Sequence, residues 1–201
     1  MSEWNAEQYL KFKNQRTQPA VDLAKSVMEY KPNSILDVGC GPGNSTSVLN
    51  NIFVNARILG VDNSETMIQK ASQTYPHIDF KLCDVTSELD NLDNYDVIFS
   101  NACLQWIPDH KKFIPKLMNK LNSGGALAVQ IPMNGQETLF RIMNEVVQDS
   151  KWGFSESNIE TNETLQPEEY FDILASCSSS FDIWVTVYYH NIPNGQARVE
   201  W

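Results

Sequence analysis

A chain of 201 residues is long enough to bury one hydrophobic core, and 42% hydrophobic with 20% charged residues is the make-up of a globular domain, not a disordered one. The 25 Asp and Glu outnumber the 15 Lys and Arg, and the resulting formal charge of −10 argues against broad binding to nucleic-acid phosphates or anionic lipid. It still allows an anionic ligand held by a few local cations.

The N-terminus shows no basic patch followed by an apolar run, and no stretch reaches the length of a membrane span. Tyr9, Phe12 and Arg16 share one face of a helix by their i, i+3, i+7 spacing, and Pro19 to Tyr30 repeats the helical pattern with Val21, Leu23, Ala24, Val27 and Met28. Ser34 to Val38 is a short apolar run that ends in glycines, as a buried parallel strand does. Further strands are expected at Arg57 to Val61, Asp79 to Leu82, Tyr95 to Ser100 and Ala126 to Ile131. A sixth, Phe181 to Tyr189, alternates Ile183, Val185 and Val187 with Trp184, Thr186 and Tyr188, which suggests an edge strand. Between them, Ser64 to Tyr75 opens with an N-cap serine, and His110 to Leu121 is expected to stop at Ser123-Gly124-Gly125. Strands alternating with helices of this length predict βαβ units and a doubly wound, mostly parallel α/β sheet with helices on both faces.

Cys40, Cys83, Cys103 and Cys177 form no C-x-x-C pair, and His77, His110 and His190 are as scattered, so a zinc site or disulfide framework lacks its spacing. Reduced thiols fit a cytoplasmic protein.

The chemistry-bearing stretch is Ile35-Leu36-Asp37-Val38-Gly39-Cys40-Gly41-Pro42-Gly43, with Asn44-Ser45-Thr46-Ser47 opening a helix behind it. Glycines there let a ligand approach the backbone, and helix-start N–H groups favour anionic ligand groups. A dinucleotide site spaces its glycines G-x-G-x-x-G; the G-x-G-x-G spacing, with Asp37 before it and Pro42 inside, fits that fingerprint badly. Asp62 closes the second strand about 20 residues past Gly43, where a ribose-binding acid falls, although it could also only cap the following helix. Asp84 closes the third strand and could accept an adenine amine; Asn101 closes the fourth. Four strands thus bring polar groups to one carboxyl edge, where open α/β sheets bind ligands.

On these residues the sequence resembles the class I S-adenosylmethionine-dependent methyltransferases, which have a Rossmann-like fold. Within them it is most similar to the trans-aconitate methyltransferases, through Trp4 to Pro19, Asn101-Ala102-Cys103-Leu104-Gln105-Trp106-Ile107-Pro108-Asp109-His110 and Gly124 to Pro132. The resemblance implies S-adenosylmethionine as cofactor, bound by Asp37, Gly39, Gly41, Gly43, Asp62, Asn63, Met67, Asp84, Val85, Asn101 and Trp106, with Trp4 and Tyr9 packing over the sulfonium. It also implies methyl transfer to a carboxylate oxygen of a small organic acid, with Arg16, Gln105 and His190 as substrate-side candidates and Arg198 a further cation. Carboxyl methyltransferases acting on carrier-bound acids share part of the pattern, and a non-catalytic cofactor-binding partner protein is the alternative outside enzymes. One domain is expected: a lid segment over 1–30, a cofactor core over 31–132 and a substrate-side part over 133–201, as a monomer or weak oligomer. Two departures stand out. The family continues past the position of Trp201 through a further helix and a seventh strand, so the Phe181 strand is expected to lack its hairpin partner; and Asn191 stands where a basic residue is expected after Tyr188-Tyr189-His190, which weakens the case for a tricarboxylate.

Overall fold

The computed structural model describes residues 13–133, 142, 145–153 and 164–189. Its centre is a sheet of five parallel strands, β1 (Ser34–Val38), β2 (Arg57–Asp62), β3 (Asp79–Leu82), β4 (Tyr95–Asn101) and β5 (Leu121–Gln130), in the order β3-β2-β1-β4-β5. The chain walks outward from β1 to β3, then returns to lay β4 on the other side of β1. The carboxyl ends of β1 and β4 therefore flank the point where strand order reverses, the crevice in which such sheets take their ligands.

Side chains alternate across the sheet and both faces are covered. Ile35, Val97, Phe99 and Ala128 join Ala20, Leu23 and Ala24 of α1 (Lys13–Ser26), Val27 just past its end, and Leu49 of α2 (Asn44–Ile52) in one core. Leu36, Val38 and Ile98 join Phe113, Ile114 and Leu117 of α5 (His110–Met118) and Ile173 of α6 (Pro167–Cys177) in the other. Each fully buried Leu, Ile or Phe contributes roughly 1.5–3 kcal/mol. A one-residue slip of β4 would exchange the core of one face for that of the other, so its register is fixed by burial on both sides. Further helices are α3 (Glu65–Thr74), capped by Ser64 accepting from the Met67 amide, and the single turn α4 (Val85–Glu88).

Three expectations are corrected. The helix at Pro19 begins earlier, at Lys13, and carries Pro19 inside it. Helix α5 carries Pro115 inside it and stops at Met118, not Leu121, where the chain closes with Lys120 N–H on Leu117 C=O. Leu121 already pairs with Tyr95, and Gly124-Gly125 lie at an irregularity in β5 rather than at a helix end. A Cβ on Gly125 would come within 2.7 Å of the Asp96 carbonyl oxygen, so the close approach needs glycine.

The third correction is Phe181 to Tyr189, which is not a strand. Its apolar side chains face outward, with Tyr189 93% exposed, and among the described residues no neighbour supplies its backbone hydrogen bonds. Alternation fits a pleat, but a strand exists only through its partner. The Tyr188 hydroxyl donates to Asp22 on α1 at 3.0 Å. Helix α6 was not foreseen although its signal is local: Pro167 at the first turn, followed by Glu168 and Glu169, with the Gln166 amide donating to Glu169 Oε2. Among the described residues, no helix is long and apolar enough to cross a membrane.

Candidate active site

Past Val38 the chain turns through Gly39 to Gly43 into α2. Gly39 (φ +72°) and Cys40 donate their N–H groups to the Val61 carbonyl at 2.9 and 3.0 Å, which pins the turn to β2. A Cβ on Gly39 would lie 2.1 Å from Cys103 Sγ, so glycine lets the loop after β4 press against the loop after β1. Gly41 (φ +52°) is different: no atom lies within 4 Å of where its Cβ would stand, so its backbone angle, and not lack of space, calls for glycine. Its N–H is held by Asp62 Oδ2 at 2.9 Å, and Asp62 Oδ1 accepts the Ser64 N–H at 2.9 Å. Burial raises the Asp62 pKa against these backbone bonds.

Asp37 is fully buried beneath the turn. Its Oδ2 accepts the hydroxyls of Ser45 and Thr46, each at 2.7 Å, while Oδ1 has no partner among the described residues. Burial pushes its pKa up to about 6, with the two hydroxyls pulling the other way and the Asp62 charge adding a smaller upward push. Beside it, the Asn44 side-chain Nδ2, in the first turn of α2, is buried and unpartnered.

The opposite wall is the end of β4. Ser100 donates its hydroxyl to the Val38 carbonyl at 3.0 Å, tying the two strand ends together. Ala102 takes a left-handed angle, φ +54°, held by its N–H on Gln130 C=O (2.9 Å) and its own carbonyl accepting Gln105 Nε2 (2.8 Å). Because Nε2 faces a carbonyl, the Gln105 amide has one orientation, and its Oε1 is left buried without a partner among the described residues; Asn101 Oδ1 is likewise unpartnered among them. Each such orphan costs about 1–3 kcal/mol, and native interiors contain few. Four of them within the turn and the strand ends mark a surface shaped for a ligand that brings both donors and acceptors. Trp106 stands at the rim, 43% exposed.

Asp37, Gly39, Gly41, Gly43 and Asp62 thus meet around β1 and β2, with Asn101, Gln105 and Trp106 on the β4 side. Asn63 is exposed next to Asp62, whereas Met67 and Val85 are buried. Asp84 caps α4, its Oδ1 accepting the Thr86 N–H (2.9 Å) and hydroxyl (2.7 Å). Trp4, Tyr9, His190 and Arg198 lie outside the described residues, and of Arg16 only the backbone, in the first turn of α1, is described. Residues 17–26 of the expected lid segment form the part of α1 whose Ala20, Leu23 and Ala24 pack on the sheet. Sequence reasoning missed Ser45 and Thr46 as partners of Asp37, although a buried strand acid followed by hydroxyls in the next helix turn is a usable signal. Nothing in the sequence pointed to the Ala102 backbone.

The methyltransferase domain model matches residues 31–171. The chain is 37% identical over 203 residues to a trans-aconitate 2-methyltransferase of Variovorax paradoxus (strain S110), and 38% identical over 207 residues to one of Yersinia pseudotuberculosis serotype O:1b (strain IP 31758). In both cases the match covers all of this chain and 78% of the relative. Among solved structures, the plantazolicin methyltransferase BamL, in complex with a triazolic desmethylPZN analog and SAH, superposes with a TM-score of 0.59 at 19% identity over 82% of this chain and 62% of that one. The sugar N-methyltransferase KedS8 from Streptoalloteichus sp ATCC 53650 gives a TM-score of 0.54 at 18% identity over 63% of this chain and 53% of that one. These two likenesses concern the fold.

Proposed function

The chain belongs to the methyltransferase domain family and is an S-adenosylmethionine-dependent methyltransferase, and from that premise we propose that its acceptor is a carboxylate oxygen of trans-aconitate or a similar small organic acid. The observation that carries the acceptor is likeness along the whole chain to relatives named trans-aconitate 2-methyltransferase.

The residues present fit the cofactor. Its ammonium, ribose hydroxyls and adenine amine are donors and its carboxylate is an acceptor, matching the orphan oxygens of Asp37 and Asn101 and the orphan amide nitrogen of Asn44. We assign the methionyl end to Asp37 and the Gly39, Gly41 and Gly43 turn. Asp62 and Asn63 take the ribose, since each Asp62 oxygen keeps a lone pair beyond the backbone N–H it accepts. Asp84, through the oxygen that Thr86 leaves free, takes the adenine together with Val85 and Met67. Trp106, Trp4 and Tyr9 cover the sulfonium end, where aromatic faces attract a cation.

Bound S-adenosylmethionine supplies a methyl group already activated on sulfonium. The protein's share is to align the acceptor and exclude water. A carboxylate with a reference pKa of about 4 is ionised at neutral pH, so no side chain has to take its proton. Arg16 and His190 are assigned to its charge and Gln105 to its polar contacts.

Calorimetric titration with S-adenosylhomocysteine, with NAD as control, followed by transfer of labelled methyl to trans-aconitate, cis-aconitate, citrate and carrier-bound acids, tests the proposal. Saturable binding of the first ligand and label on trans-aconitate are expected. Label only on another acceptor would overturn the substrate assignment, and binding of NAD alone would overturn the cofactor.

A further inference from the structure

Outside the groups assigned above, a polar cluster links the Leu104–Trp106 turn to α6. His110, the first residue of α5, is 2% exposed, and its Nε2 lies 2.7 Å from the Leu104 carbonyl oxygen. A carbonyl only accepts, so Nε2 carries the hydrogen. Nδ1 is then an acceptor and takes the Tyr170 hydroxyl hydrogen at 2.7 Å; the Tyr170 oxygen in turn accepts the Leu165 N–H at 3.2 Å. The carbonyl at Nε2 and the hydroxyl at Nδ1 together fix the tautomer of the neutral imidazole, and the Leu104 oxygen also accepts the Ile107 N–H at 2.9 Å.

A buried histidine could satisfy its nitrogens anywhere. This one holds the carbonyl that opens the Leu104–Trp106 turn, and that turn carries Gln105 and Trp106 to the edge of the site. The other end is fastened to α6, which joins the same core through Ile173. The exposed Lys111–Glu169 pair between α5 and α6 adds little to this link.

We propose that His110 and Tyr170 are positioning residues that lock the Leu104–Trp106 turn and so set Gln105 and Trp106 against the methyl acceptor. The inference rests on the acceptor edge proposed above. Neither residue touches cofactor or acceptor; both act through the turn.

Tyr170→Phe removes one hydroxyl and leaves His110 Nδ1 and the Leu165 N–H unpaired. Ile173→Val, on the same helix, loosens packing without touching a hydrogen bond and serves as the stability control. Three quantities are read: the indole N–H resonance of Trp106, identified by its loss in Trp106→Phe; the Kd for S-adenosylhomocysteine; and the KM for trans-aconitate. Tyr170→Phe is expected to move the Trp106 resonance and raise the acceptor KM roughly three- to tenfold, the size of one lost buried hydrogen bond. The Kd for S-adenosylhomocysteine should change less, because its uncharged sulfur makes no cation–π contact with Trp106. Ile173→Val is expected to leave all three alone. An unmoved Trp106 resonance in Tyr170→Phe, an equal shift in Ile173→Val, or a parallel loss of cofactor affinity would overturn the proposal. Should Tyr170→Phe not fold, His110→Gln and His110→Ala decide instead. Glutamine can still donate to Leu104 and is expected to restore the Trp106 resonance relative to alanine; identical behaviour of the two would refute the relay. If trans-aconitate is no acceptor for the native chain, the substrate assignment fails, while the Trp106 resonance still decides the positioning role.

Discussion

Asp37 makes cofactor binding depend on pH in a way that can be worked out beforehand. Its carboxyl is wholly buried, and burial holds its pKa at about 6 against an ordinary value of 3.8. A raised acid pKa means that ionised Asp37 opposes folding. The penalty is absent below about pH 4, grows through the interval up to 6, and above that stays near 3 kcal/mol, from about two pH units at 1.36 kcal/mol each. The unpartnered Oδ1 is where a bound ammonium would offset that cost, and only the ionised form attracts it. With a pKa near 6, roughly one molecule in ten is ionised at pH 5 and nine in ten at pH 7, so S-adenosylhomocysteine should bind about tenfold more tightly at pH 7. Calorimetry at pH 5, 6, 7 and 8 in buffers of different ionisation heat reads both the affinity and the proton released on binding. Asp37→Asn should bind weakly at every pH and show no such slope. A flat affinity between pH 5 and 7 in the native chain, or the same slope in Asp37→Asn, would refute the assignment of Asp37 to the ammonium.

Gly39→Ala should cost about 2–5 kcal/mol in urea unfolding, from overpacking against Cys103 together with the left-handed angle; a loss under about 1 kcal/mol would mean that the β4 loop yields freely. Thr46→Val deletes one of the two hydroxyls on Asp37 Oδ2, so the penalty for ionising Asp37 grows; stability at pH 7 should fall by about 1–3 kcal/mol, with a smaller loss at pH 4, read from thermal melts at the two values. Asp62→Ala should weaken S-adenosylhomocysteine at least about tenfold and cost about 1–3 kcal/mol of stability, because the Gly41 and Ser64 amides lose their acceptor. Calorimetry and urea unfolding read the two effects, and stability loss with unchanged affinity would leave Asp62 a purely structural cap.

What the sequence by itself determined is local or periodic. The run Ser34–Val38 came out with the same bounds in the structure, because a strand buried on both faces reads as a near-continuous apolar run; Asp79–Leu82 also kept its bounds, but as an exposed edge strand. The glycine turn and the acid closing β2 were legible because their spacing follows from one strand–turn–helix unit. Only the tertiary structure decided the rest. Phe181 to Tyr189 has a strand's alternation but pairs with no strand among the described residues, and Gly124-Gly125 reads as a helix stop yet accommodates the Asp96 backbone. The left-handed Ala102, the single orientation of Gln105 and the His110–Tyr170 relay leave no mark in composition or periodicity. Ala102 is held by Gln130 once β4 and β5 lie side by side, Gln105 then turns to the Ala102 carbonyl, and His110 meets Tyr170 only when α6 packs against α5.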